Sequence, residues 1–121
     1  MRTAQEALNP LSPQFLASAA RTTSGNSETF DAAEKRELIV TVNVTAASGS
    51  SPTLAVQAQH SPDGVIWDNL GTAFTTVTAA PATLTKTFGT AANPFHRYVR
   101  ASYTIGGTTP SFTFSVLGTA K

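Results

Sequence analysis

From Glu37 onward the chain alternates apolar and polar positions with a period of two. Leu38, Val40, Val42 and Val44 alternate with Ile39, Thr41, Asn43 and Thr45, and alternation of β-branched residues predicts a half-buried β-strand. After AASGSSP the segment TLAVQAQH repeats the pattern, with Leu54, Val56 and Ala58 on one face and Ala55, Gln57 and Gln59 on the other. That predicts the return strand of a hairpin. A second hairpin is predicted near the end, where HRYVRASYT leads through IGGTTP into SFTFSVLG and Phe112, Phe114 and Val116 share one face.

The two designs are versions of one another. GSSPTLAV at 49–56 and GTTPSFTF at 107–114 share the order Gly, hydroxyl, hydroxyl, Pro, hydroxyl, apolar, any, apolar. Proline at the start of a strand is tolerated because its missing N–H falls outside the ladder, and the glycine permits a turn. Between the two lie VIWDNL, TAFTTVT and ATLTKTF, each short and bounded by Gly or Pro. The sum is an all-β fold, an antiparallel β-sandwich of jelly-roll or Ig-like type with about seven or eight strands, and nothing helical after residue 35. Its core is expected to hold Leu38, Val40, Val42, Leu54, Val56, Trp67, Val99, Phe112 and Phe114.

Residues 1–34 have a different character. Pro10 and Pro13 break any helix early, and RTTSGNSE is polar. This segment reads as an extended N-terminal arm ahead of a β-sandwich domain at 35–121. Its apolar residues Leu8, Leu11, Phe15 and Leu16 are too sparse to make a core, so the arm is expected to order only against another surface.

Charge narrows the partners. Only 12% of the 121 residues are charged, the formal net charge is +1, and the eight Lys and Arg are scattered. No basic stripe is available to track a phosphate backbone, so nucleic acid is not expected as a partner. There is no cysteine, hence no disulfide framework or thiolate metal site. The N-terminus lacks the apolar segment of a secretory signal, and no run approaches the length of a membrane helix, so a soluble chain without a membrane partner is expected.

The most shaped stretch is SPDGVIW at 61–67, which leads into the only tryptophan. It partly matches the Asp-box pattern Ser-x-Asp-x-Gly-x-Thr-Trp, but here Asp63 and Gly64 are adjacent and Ile66 stands in place of the Thr. Trp67 with Tyr98 or Tyr103 is a candidate sugar platform, because an indole stacks on sugar faces. His60, Asp63 and Asp68 are candidate ligands for a metal, though their spacing matches no known loop. The fourth reading takes Asp63-Gly64 as a tight turn and Trp67 as folded back into the core, and turn chemistry favours it. No serine sits in a G-x-S-x-G turn, and His96 adjoins Arg97. No catalytic, cofactor-binding or metal site is therefore assigned, and the chain reads as a non-enzyme.

The segments VTVNVTAASGSSPTLAVQAQHSPDGVIWDNLGTAF and RYVRASYTIGGTTPSFTFSVLG, from about residue 24 to 118, resemble small proteins encoded in the structural-gene clusters of tailed bacteriophages. The marks are the strand ending in VTAASG, the SPDG-x-x-W turn, the RYVRA strand and the closing GTTPSFTFSV. The resemblance implies a head decoration or auxiliary virion protein: a β-sandwich on the outer capsid surface, made in the host cytoplasm, with the major capsid protein and its own copies, as a homotrimer, for partners. Leu8, Leu11, Phe15 and Leu16 would then contact the capsid or a sister subunit. A carbohydrate-binding or adhesion module of a phage tail, or another β-sandwich binding protein, is the alternative.

Overall fold

The computed structural model describes residues 14–89 and 94–120, and among them every regular element is a strand. In chain order these are β1 (Gln14–Arg21), β2 (Gly25–Asn26), β3 (Phe30–Asp31), β4 (Leu38–Ser61), β5 (Asp68–Asn69), β6 (Ala82–Phe88) and β7 (Tyr98–Ala120). All pairings are antiparallel, and the central pair is β4 with β7.

Each expected hairpin is in fact one long strand. β4 is 24 residues and β7 is 23, and GSSP and GTTP lie inside them rather than between strands. The ladder runs through both motifs, with Ser48 opposite Ser111, Ser50 opposite Thr108 and Thr53 opposite Gly106, and register shifts mark the bend. The two motifs are therefore partners in a shared corner, related by a local two-fold through the Ser50 and Thr108 pair. Their backbones match: Gly49 and Gly107 have φ of 110° and 113°, and Ser51 and Thr109 have φ of 48° and 45°. A Cβ on Gly49 would lie 2.7 Å from the Thr109 carbonyl oxygen, and one on Gly107 would lie 2.7 Å from that of Ser51. Glycine is required on both counts, positive φ and close approach. Gly and Pro marked a break correctly, but a corner in a continuing ladder and a hairpin turn need the same residues.

The corner divides the sheet into two layers. The first contains β1, the C-terminal part of β7, the N-terminal part of β4, and β6. The second contains β2 and β3, the N-terminal part of β7, the C-terminal part of β4, and β5. Alternation then sends one side of each strand inward. Leu38, Val40, Val42, Val44, Phe112, Phe114 and Val116 of the first layer meet Leu54, Val56, Ala58, Val99 and Ala101 of the second in one buried cluster. Tyr103 and Phe114 cross that interior edge to face at 5.3 Å, as do Phe15 and Phe30 at 4.8 Å. The result is the antiparallel β-sandwich that the alternation implies.

Residues 14–34 run along this sandwich. β1 pairs with β7 through two bulges, and the Arg21 guanidinium donates to the carbonyls of Ala17, Ala19 and Phe114 to hold the irregular backbone. Phe15 is 3% exposed against Gly118, whose missing side chain makes room for the ring. Leu16 packs on the same cluster. Phe15, expected to reach a partner, buries its apolar surface in its own domain, and Leu16 does so in part, which offsets their ordering entropy locally. Leu8 and Leu11 lie outside the described residues.

Candidate functional site

The turn after β4 is built by two side chains. Ser61 is fully buried. Its hydroxyl donates to Asp63 Oδ1 at 2.9 Å and accepts the backbone N–H of Gly64 at 2.8 Å. Asp63 Oδ1 also accepts from the N–H groups of Val65 at 2.9 Å and Ile66 at 3.1 Å. Those backbone donors, with the Ser61 hydroxyl, hold the Asp63 carboxyl below the usual carboxylate range. Gly64 turns the chain at φ 78°, above the ring of Tyr98. Asp63 thus spends its carboxylate on its own loop and does not converge with His60 on a ligand site.

Trp67 is half-buried rather than in the core. The register explains the difference. Gln59 lies on the outward face of the second layer opposite Asn69, and Gln59 and Asn69 bond through their side-chain amides at 3.3 Å. Trp67, two residues before Asn69, comes out on that same face, where the Arg100 guanidinium lies 4.3 Å from its ring centroid. Arg100 is oriented by donating from Nε to Gln59 Oε1 at 2.8 Å. The core volume assigned to Trp67 is filled by Leu70, Phe74 and Val77. Leu70, Phe74 and Val77 hydrogen-bond through their backbones to Ala58, Val56 and Leu54 of β4. Val65 and Ile66 project from the loop, 77% and 68% exposed.

A second cluster joins residues far apart in sequence. His60 and His96 stack with centroids 4.3 Å apart, and the His96 backbone N–H donates to His60 Nδ1 at 3.2 Å. That bond places the proton of neutral His60 on Nε2. Burial first, and His96 second, lower the His60 pKa from its ordinary value, while Asp68, its cross-strand neighbour, opposes them. Nearby, Arg97 forms a bidentate pair with Asp31, its closest contact 2.9 Å, on an exposed surface. The Arg97 guanidinium lowers the Asp31 pKa. Such an exposed pair fixes the approach of β3 to β7 more than it adds stability. Neither cluster has a local signature, since their members meet only through pairing across the sheet.

Among the described residues no three His, Asp or Glu side chains are grouped to hold a metal ion. No helix there is long and apolar enough to cross a membrane. What the surface does present is an indole layered with a guanidinium, an exposed apolar loop tip at Val65 and Ile66, and an uncharged run of outward side chains on β4 and β6 of the first layer. That face carries Thr41, Asn43, Thr83 and Thr85, with Thr41 and Thr85 hydroxyls 3.3 Å apart and Thr83 donating to Asn43.

No protein-family model matches the chain, and no curated protein matches its sequence. Solved structures share its fold. It is similar to the PBSX exported protein XepA at 17% identity and a TM-score of 0.61, covering 91% of this chain and 36% of XepA. It matches a chain of infectious bursal disease virus strain Gx at 12% identity and a TM-score of 0.58, covering 91% of this chain and 31% of that one. A third is the Clostridium thermocellum xylanase 10B CBM22-1 and GH10 module pair, solved with xylohexaose, at 16% identity and a TM-score of 0.51, covering 79% of this chain and 19% of that one. The chain thus spans about a third or less of each of these proteins. What they have in common with it is a β-sandwich.

Proposed function

We propose that the chain is a structural virion protein of a tailed bacteriophage, a decoration protein that docks on the outer surface of the head and contacts the major capsid protein. The observation that supports this best is the sandwich itself, matched over 91% of the chain by the PBSX exported protein XepA. It agrees with the phage resemblance carried by SPDG-x-x-W and GTTPSFTFSV. The physical properties fit. A low-charge sandwich with hydroxyl-lined outward strands gains by burial against a neighbour without desolvating many ions. On this reading the chain catalyses no reaction, and panels of glycosidase and esterase substrates stay unturned. The test is immuno-electron microscopy of virions from the encoding phage. Label on the head supports the reading; label on the tail, or absence from purified virions, overturns it.

A glycan-binding module is the second reading, and one observation favours it: Trp67 stands outside the core on an outward face beside Gln59 and Asn69. Arg100 already occupies one face of the ring, so a sugar must use the other or displace the guanidinium. Titration of Trp67 fluorescence with xylo-, gluco- and sialyl-oligosaccharides decides it. Saturable change supports this reading, and none across the set removes it.

A further inference from the structure

We propose that the outward edge of β6 is an assembly surface that pairs with β6 of a second copy of this chain, joining two first layers into one continuous sheet. The argument rests on how the sandwich treats its edges. An unpaired strand edge presents a row of N–H and C=O groups that invites another strand, and folded chains ordinarily blunt it. Three of the four edges here are blunted. β1 is broken by two bulges and clamped by Arg21. β2 and β3 are two residues each. Opposite them, the β4 edge of the second layer is covered by two-residue β5, a bridge at Val77 and backbone hydrogen bonds from Leu70 and Phe74.

β6 differs. It pairs with β4 over seven consecutive residues, Ala82 to Phe88, with no register shift. No described residue pairs with its other side. Its outward side chains are Thr83, Thr85 and Thr87, all exposed and uncharged. Its one charge, Lys86, is turned away from that face. The Lys86 ammonium donates to the carbonyl and hydroxyl of Thr72 and lies near the Phe74 ring, so it is retained within its own chain.

These features select a second copy as the occupant. Antiparallel pairing of identical strands about a two-fold axis overlaps all seven residues only when the axis passes at Thr85. Thr85 then faces its own counterpart, Thr83 faces Thr87, and Leu84 faces Lys86. No like charges stand opposite one another, and cross-strand Thr pairs are favourable. Because residues directly opposite in an antiparallel pair share a face, both inner faces stay inside and both threonine faces merge outside. The contact is isologous, giving a closed dimer rather than the homotrimer that the phage resemblance implies.

Thr85→Lys and Thr85→Glu test the proposal, because the side chain is exposed and its replacement leaves the core untouched. Sedimentation velocity of the full chain is expected to show a wild-type species of two copies that dissociates on dilution. Each variant alone sediments as a single copy, since like charges oppose across the axis, with far-UV circular dichroism as in the wild type. An equimolar mixture of the two variants restores the two-copy species, now through an opposite-charge pair. A wild type that stays a single copy at every concentration overturns the proposal. So does a trimer, association undiminished in both variants, or a mixture that fails to recover.

Discussion

The two layers of this sandwich share both long strands and are nevertheless held in different ways. The first layer has the uninterrupted ladder between β4 and β6 and a β1 strand clamped at its bulges. The second has three two-residue strands and one bridge for edges. Side chains do there what ladders do in the first layer. Asp31 with Arg97, His60 with His96, Trp67 with Arg100, and the Ser61 and Asp63 turn all belong to the second layer or its loops. Backbone pairing is insensitive to pH and charge, whereas contacts made by titratable side chains are not. The first layer rests mainly on backbone ladders, and the second depends more on side-chain contacts.

The sharpest way to break that contrast is by volume. Phe114 is fully buried between the layers, and Phe114→Ala is expected to cost about 3 to 5 kcal/mol in denaturant unfolding. Trp67→Ala, a larger truncation, is expected to cost only about 1 kcal/mol because the indole lies on the outward face. Equal losses would place Trp67 back in the core and the register of β5 in error. A middle-sized effect tests the corner where the layers meet. Gly49→Ala and Gly107→Ala each force a Cβ into positive φ and against a backbone carbonyl, and each is expected to cost roughly 1 to 3 kcal/mol. Matching losses reflect the local two-fold; a harmless change at one site would show that only the other motif carries the bend.

The smallest effect belongs to the second layer. Since burial depresses the folded-state pKa of His60 below its ordinary 6.5, the folded chain binds this proton less readily than the unfolded one. The stabilising contribution is complete above pH about 6.5 and is lost as pH falls through the lowered folded value. Melting measured from pH 8 to pH 5 should therefore decline on the acid side. Substituting His60→Gln should flatten the decline. A slope unchanged by the substitution would assign it to another group.

Much of this was already present in the chain. Period-two alternation marks Leu38 to Val44, Leu54 to Ala58 and Phe112 to Val116 as strands, and of the nine residues expected in the core all but Trp67 are buried. Local physics suffices there, because alternation in a half-buried strand is written residue by residue. The GSSP and GTTP likeness was also visible. What it meant was not. Whether a Gly and Pro break reverses a strand or bends it depends on what lies alongside, and each motif here lies alongside the other. Trp67 was misplaced for a similar reason, since hydrophobicity argues for burial but the pairing of Gln59 with Asn69 decides the face. Phe15 reads as part of an extended arm because Gly118, which makes room for its ring, stands far away in sequence. Local alternation suffices for the strand segments of the two long strands and of β6 and for their apolar sides. Which strands pass through a corner, which edges stay open and which distant side chains meet are set by long-range pairing that no local window contains.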